Sequence, residues 1–164
     1  MADRKQAIAD YMRQSHDATW PVLSSLSEAD RGLPVFGDGD APWSIGDLVA
    51  HLADAESGIL GQVQRLLAGK ETVPQDFDLS RWNRSAVRRN KSRTYEDLLD
   101  HIRKAHLEAL KTLEATEAAS LELTGRHASG DILTVEGFFR RIADHRRDHT
   151  RDIQQALAGV PRST

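Results

Sequence analysis

The 164-residue chain contains no cysteine, so disulfides, thiolate nucleophiles and Cys-ligated zinc or iron–sulfur centres are all excluded. Any metal has to be held by nitrogen and oxygen ligands. No apolar run approaches the roughly 20 residues of a membrane-spanning helix, and no membrane partner is expected. The N-terminal MADRKQAIAD is charged and helical in pattern, without the basic and then apolar order of a secretion signal, so the expected compartment is cytoplasmic. Positive charge is also scarce: 22 Lys and Arg against 25 Asp and Glu leave a formal net charge of −3. That balance gives no global attraction to nucleic acid or anionic lipid. Aromatic residues are 5% of the chain, too few to build a row of stacking platforms for a single strand. No nucleic-acid partner is therefore predicted.

What is present is helical periodicity. With 39% hydrophobic residues the chain can fill one core, and residues 1–164 are predicted to form a single soluble domain. Ile8, Tyr11, Met12, Val22, Leu23 and Leu26 fall near one face of a first helix, which Pro21 is expected to kink or split near Trp20. Gly32, Pro34, Gly37, Gly39 and Pro42 mark residues 28–43 as a long loop. Ser44 with Asp47 reads as the capping pair of a second helix with the stripe Ile45, Leu48, Val49, Leu52, Ile59, Val63 and Leu66, ended by Gly69 in a left-handed cap. Thr94 with Asp97 repeats the pattern before a third helix. A fourth runs from near Thr134 to Leu157, stopped by Gly159 and Pro161. With no alternating strand pattern, the fold class is all-α: a four-helix bundle with long connections and a short extra helix around residues 78–91. Connections of this length are compatible with either a crossover or a plain up-and-down topology.

The histidines carry the chemistry. His145 and His149 lie four residues apart, within the arc of Phe138, Ile142 and Ile153, so both face the interior from one side of the fourth helix. Two neutral imidazoles among apolar groups need partners. They are either a hydrogen-bonded pair at the end of the bundle or half of a metal site whose third ligand is best supplied by His51, at the margin of the second helix's stripe. Arg146 stands where a zinc protease of the H-E-x-x-H type has its glutamate, which removes that reading. Asp152, ahead of Asp148, is the candidate to orient a ligating imidazole. Glu56 lies near the centre of an apolar stripe and needs a partner, whether a hydrogen-bonding group or a metal. His106 is an interior histidine, hydrogen-bonded or near the cavity. His16, toward the edge of the first helix's face, reads as a partly exposed surface histidine or a pocket residue; His101 and His127 read as surface or loop residues. The acid-free SRWNRSAVRRNKSR is a solvated basic face or a dock for an anionic co-substrate, with Arg81, Trp82 and Asn83 as pocket candidates.

Three stretches, PWSIGDLVAHLADAE, DFDLSRWNRSAV and ADHRRDHTRDIQQAL, together resemble the DinB/YfiT-like four-helix bundles, a family described as metal-dependent hydrolases. The resemblance covers nearly the whole chain. It implies His51, His145 and His149 as the three metal ligands and a divalent ion, nickel or zinc first, with iron or manganese as alternatives. It also implies a homodimer and, from some relatives, thiol transfer with bacillithiol or mycothiol, so a low-molecular-weight thiol enters as a co-substrate. Related mycothiol-dependent isomerases have a glutamate where this chain has His145, which favours the DinB/YfiT side. The expected function is a metal-dependent enzyme acting on a small-molecule substrate, as a thiol S-transferase or hydrolase. The alternative is a non-enzymatic, stress-associated protein binding a metal or a small ligand.

Overall fold

The computed structural model describes residues 2–35 and 43–159, so Gly37, Gly39, Pro42 and Pro161 of the expected loop and stop signals lie outside the described residues. Four long helices make the bundle: α1 (Ala2–Ser24), α3 (Ile45–Leu67), α5 (Tyr95–Ala115) and α6 (Val135–Leu157). Shorter pieces join them: α2 (Glu28–Arg31), the strand pair β1 (Pro34–Val35) and β2 (Trp43–Ser44), α4 (Leu79–Asn90), a 3-10 turn at Ala118–Glu122, and the hairpin β3 (Thr124–Arg126) and β4 (Ile132–Thr134). The capping boxes at Ser44/Asp47 and Thr94/Asp97 form as expected, and Gly69 takes φ 71°, the left-handed region. α1 continues through Pro21 unsplit and ends three residues later at Ser24. Pro21 gives up one backbone donor and crowds the Asp17 carbonyl, so the disturbance is confined to the turn before it, near the helix end. The expected 28–43 loop holds α2, capped by a third box, Ser27/Asp30, and the paired strands. Strands of two or three residues are too short to show alternation in a sequence.

Packing gives the topology. α1 lies against α6 and α5, and α3 lies against α5 and α6, so the order around the bundle is α1–α6–α3–α5. The buried apolar residues form two clusters. One joins Ile8 and Met12 of α1, Ile59 and Val63 of α3, Ala109 and Leu113 of α5, and Phe138 and Phe139 of α6. The other joins Leu23, residues from Ile45 to Ala53, Leu98 and Ile102, and Ile153. The first cluster thus takes the starts of α1 and α6 and the ends of α3 and α5, so α1 and α6 run one way and α3 and α5 the other. The neighbours α3 and α5 are parallel. Joining parallel neighbours requires the chain to travel back along the bundle, and α4, packed on α3, makes that return. The short extra helix expected around 78–91 is α4, capped by Asp78.

Between the two apolar clusters lies a polar layer. Glu56 of α3 and Arg146 of α6 form a bidentate pair, Nε donating to Oε1 at 2.6 Å and the guanidinium NH2 to Oε2 at 2.7 Å. Their side chains are 1% and 3% exposed, so the ion pair is fully removed from water. Arg146 also meets Nδ1 of His16, whose ring stacks on His106 at 4.0 Å with planes 7° apart. One guanidinium therefore connects α1, α3 and α6, and the stacked pair adds α5. His16, expected to be a partly exposed surface histidine, is half-buried and faces inward to this layer, because the helical wheel of α1 alone does not show Arg146 across from it. Burial first, and then the Arg146 charge, push His16 down to about 4; burial and the neighbouring His16 push His106 to about 3.

Removing one partner of a buried ion pair leaves an uncompensated charge, so Arg146→Met and Glu56→Leu are each expected to lower stability by about 3–5 kcal/mol. The double variant should recover much of that loss in urea unfolding, and additive losses would show that the two groups do not act as a pair. The neutral imidazoles make a second expectation. Unfolded histidines titrate near 6.5, so below that pH the unfolded chain binds more protons than the folded one. Stability is full above about pH 6.5 and declines as pH falls toward 4. In chelator, the melting temperature at pH 5 should lie about 5 °C or more below that at pH 7.5, with a smaller difference in the His16→Gln/His106→Gln variant.

Candidate metal centre

α6 presents two faces to the interior. Arg146 points into the polar layer, while His145 and His149, one turn apart, point toward α3 and meet His51. The Nε2 atom of His145 lies 3.1 Å from Nε2 of His51 and 3.1 Å from Nε2 of His149. The rings stand roughly perpendicular, with centroids 4.4 to 5.0 Å apart. Trp43, in β2 just before α3, packs on the His51 ring at 5.3 Å.

The donor set can be tested by counting protons. His149 turns Nδ1 to the Asp152 carboxylate at 3.2 Å, so its ring proton belongs there and its Nε2 offers a lone pair to the cluster. Burial, followed by the neighbouring rings, holds His145 well below the usual imidazole range, and burial pushes His51 to about 3. Two of the rings are thus held neutral, His149 brings a third Nε2 to the same place, and a single proton bridges only one pair of nitrogens. A cation satisfies all three. Nitrogens bonded at 2.0–2.1 Å to one ion are about 2.9 Å apart at a right angle and about 3.3 Å apart at the tetrahedral angle; the two pairs that include His145, at 3.1 Å, fall between, and all three donor atoms lie within 4.8 Å of one another. Within the described residues these three are the group of potential ligands whose donor atoms come together.

The cluster forms part of the wall of a cavity of about 290 Å³ between α3, α4 and the β3–β4 turn. Trp82 and Asn83 line it, as the sequence suggests, together with Leu79 and Ser80 of α4; Arg81 is exposed and does not border it. Asp148 is exposed and pairs with Arg151, which leaves Asp152 as the carboxylate against a cluster histidine. Glu56 and His106 belong to the polar layer and not to this wall. His101, expected at the surface, is half-buried between Ser57 at 2.5 Å and Arg93 at 3.0 Å. Sequence reasoning missed His127, Ser129 and Arg141, which border the cavity from the β3–β4 turn and the start of α6. His127 was expected in a loop or at the surface and is 8% exposed. No periodicity runs through a turn, so the one available signal was the unusual concentration of His127, Ser129 and Asp131 around Gly130.

Known proteins share this architecture. The chain is similar over 98% of its length, and 90% of the other, to YfiT from Bacillus subtilis, a probable metal-dependent hydrolase with an unusual four-helix bundle topology, at 17% identity and a TM-score of 0.75. It is similar to the colibactin self-resistance protein ClbS, crystallised in complex with dsDNA, at 14% identity and a TM-score of 0.75 over 93% of this chain and 94% of that one. It also resembles the mycothiol-dependent maleylpyruvate isomerase, at 14% identity and a TM-score of 0.73, over 91% of this chain but 60% of that longer one. No functionally curated protein matches it in sequence. The ClbS complex overturns the expectation that an acidic chain of this kind has no nucleic-acid partner. Net charge is summed over a whole surface, whereas phosphate contacts are local, and α4 alone exposes Arg81, Arg84, Arg88 and Arg89. Among the described residues no helix is long and apolar enough to cross a membrane. The DinB superfamily profile matches residues 11–153, from within α1 to within α6, and the chain belongs to that superfamily.

Proposed function

We propose that this chain is a metal-dependent protein in which His51, His145 and His149 hold one divalent ion, and that it acts on a small molecule by thiol transfer or hydrolysis. The observation that carries this reading is the convergence of three Nε2 atoms beside a cavity of about 290 Å³. Nitrogen ligands suit nickel or zinc. When bound by three protein ligands, such an ion supplies Lewis acidity at a remaining open position, beside which a water or thiol becomes a stronger acid. The chain's own residues do the rest. Asp152 holds the His149 ring in the tautomer that leaves Nε2 free to ligate. Trp43 limits how far His51 can swing. The apolar walls, with Trp82 of α4, shield the reacting groups from water, while Asn83 offers an amide for orientation.

A second reading is favoured by α4. Residues 79–93 contain no acid, and Arg84 and Arg88 are exposed, so this helix offers a local seat for a phosphate backbone. The DNA complex of ClbS makes duplex DNA the first partner to test.

Titration of chelator-treated protein with zinc or nickel should give one ion per chain. His51→Ala and His149→Ala should abolish stoichiometric binding, and Asp152→Asn should weaken it about 10–100-fold. Unchanged metal content in either histidine variant would remove the assignment. Turnover of electrophiles with a panel of low-molecular-weight thiols should be lost on stripping the metal. For the DNA reading, the logarithm of duplex affinity should fall with the logarithm of salt, and Arg84→Gln/Arg88→Gln should reduce that slope by about 2. A salt-independent signal would exclude contact through α4.

A further inference from the structure

α3 carries the cavity wall beyond the histidine cluster. His51, Ala55 and Gly58 recur there at i, i+4 and i+7, which places all three on one face of the helix, and all three border the cavity. Gly58 is the anomaly. It lies in the interior of a 23-residue helix, where glycine is the least favourable residue after proline. Two local reasons can require a glycine: a left-handed backbone angle, or a neighbour too close for any side chain. Neither applies. The positive φ angles belong to Gly69, Gly130 and Gly159, and a Cβ placed on Gly58 would meet no heavy atom within 4 Å among the described residues. Gly125 shows the opposite case, since a Cβ there would lie 3.0 Å from Thr72 and 3.2 Å from Leu66. The space over Gly58 is open, and it belongs to the cavity.

A helical side chain leans back over the turn before its own Cα. A side chain at 58 would therefore lie over Asp54 and Ala55, toward His51. Without one, α3 offers a bare floor from His51 to Gly58, about 10 Å long at 1.5 Å per residue. The α4 wall is held at a fixed spacing from that floor. Arg89 ties the two helices together, its guanidinium 4.8 Å over the Trp82 ring and 3.2 Å from the Asp54 carboxylate. Phe77 and Trp82, with rings 6.0 Å apart, give the cavity an aromatic side.

The charges on the wall already have partners. Asp54 is neutralised by Arg89, and Arg141 pairs with Asp131 at 3.3 Å, so neither calls for a counter-charge on a ligand. The volume of about 290 Å³ stands at the lower end of the roughly 300–1,000 Å³ typical of small-molecule sites, too little for a peptide or a dinucleotide.

From this arrangement we infer that the cavity admits an uncharged, flat molecule of about two fused rings, and that Gly58 is the residue that sets this size. The body lies on the α3 floor against Phe77 and Trp82, with one end at the histidine cluster. The inference rests on the proposed function only in taking this cavity as the substrate site, and it names the class of substrate.

The test uses the full chain in chelator, with indole, phenol and indole-2-carboxylate as probes in titration calorimetry. Gly58→Ala should weaken indole about fivefold or more, because the new methyl overfills the occupied cavity, while phenol stays within about twofold. Gly58→Leu should abolish indole binding. Gly61→Ala is the control: its Cβ is equally free of contacts, but Gly61 does not border the cavity. Both alanine variants should raise the melting temperature by about 2–4 °C, since alanine is the better helix former, and only Gly58→Ala should lose indole. No indole binding to the unaltered chain, equal effects on indole and phenol, or equal loss of indole in the two alanine variants would overturn the inference. So would a lower melting temperature for Gly58→Ala, which would mean that the space is not open, or tighter binding of indole-2-carboxylate than of indole. Zinc stoichiometry measured on the same proteins separates the two ideas: zinc binding without size selection ends this inference alone, and size selection without zinc binding ends the metal reading alone.

Discussion

A carboxylate and a guanidinium taken fully out of water tolerate very little displacement, and the Glu56–Arg146 pair sits at the middle of the bundle, between its two apolar clusters. Attraction across such a pair offsets desolvation only when both hydrogen bonds are made. That requirement fixes the rotation and the height of α6 against α3. Apolar contacts alone do not: a core of Leu, Ile and Val tolerates small slides at modest cost. Once Arg146 is seated, His145 and His149 are turned toward His51, because residues of one helix share a rigid angular relation. The ion pair and the histidine cluster thus lie side by side across the same α3–α6 interface, one neutralised by protein charges and the other arranged around an electron-rich point.

The topology supplies the space beside that point. In a plain up-and-down bundle, short turns join antiparallel neighbours and leave little outside the core. Here α3 and α5 are parallel neighbours, and the return segment carrying α4 lies along α3 at the level of His51. The β3–β4 hairpin closes the opposite side. Both walls come from connections, so they can differ in residue content without disturbing the four long helices. That separation of scaffold from lining suits one fold to proteins as different as a probable hydrolase, an isomerase and a self-resistance protein.

The helices were readable because their signals are local. Ser44 with Asp47, Thr94 with Asp97, and the stripes that follow them encode ends and inner faces within a few residues. His145 and His149 were readable for the same reason, and His51 by its position at a stripe's edge. What was not readable depends on partners far apart in sequence. Glu56 could be seen to need a partner, but Arg146, 90 residues away, read only as a break in a protease motif. His16 passed for a surface residue because the group that buries it lies 130 residues on. The direction of α5 relative to α3 left no trace in periodicity, since a stripe has the same pattern whichever way its helix runs. His127 was hidden in another way: its ring is held by Ser129 two residues away in a turn, where side-chain spacing carries no meaning.

The 94-residue separation between His51 and His145 also has a consequence for how the molecule comes into being. A chain emerging from the ribosome makes α1, α3 and α5 while two of the three clustered imidazoles, and the guanidinium that neutralises Glu56, are still unsynthesised. Until α6 docks, the nascent helices hold a bare carboxylate and an open apolar seam where Phe138 and Phe139 will lie. Arrival of that single helix closes the seam, cancels the charge and assembles the imidazole cluster in one event. The cluster is therefore all-or-none with respect to the docking of α6: until that helix reaches its place, His51 stands without His145 and His149.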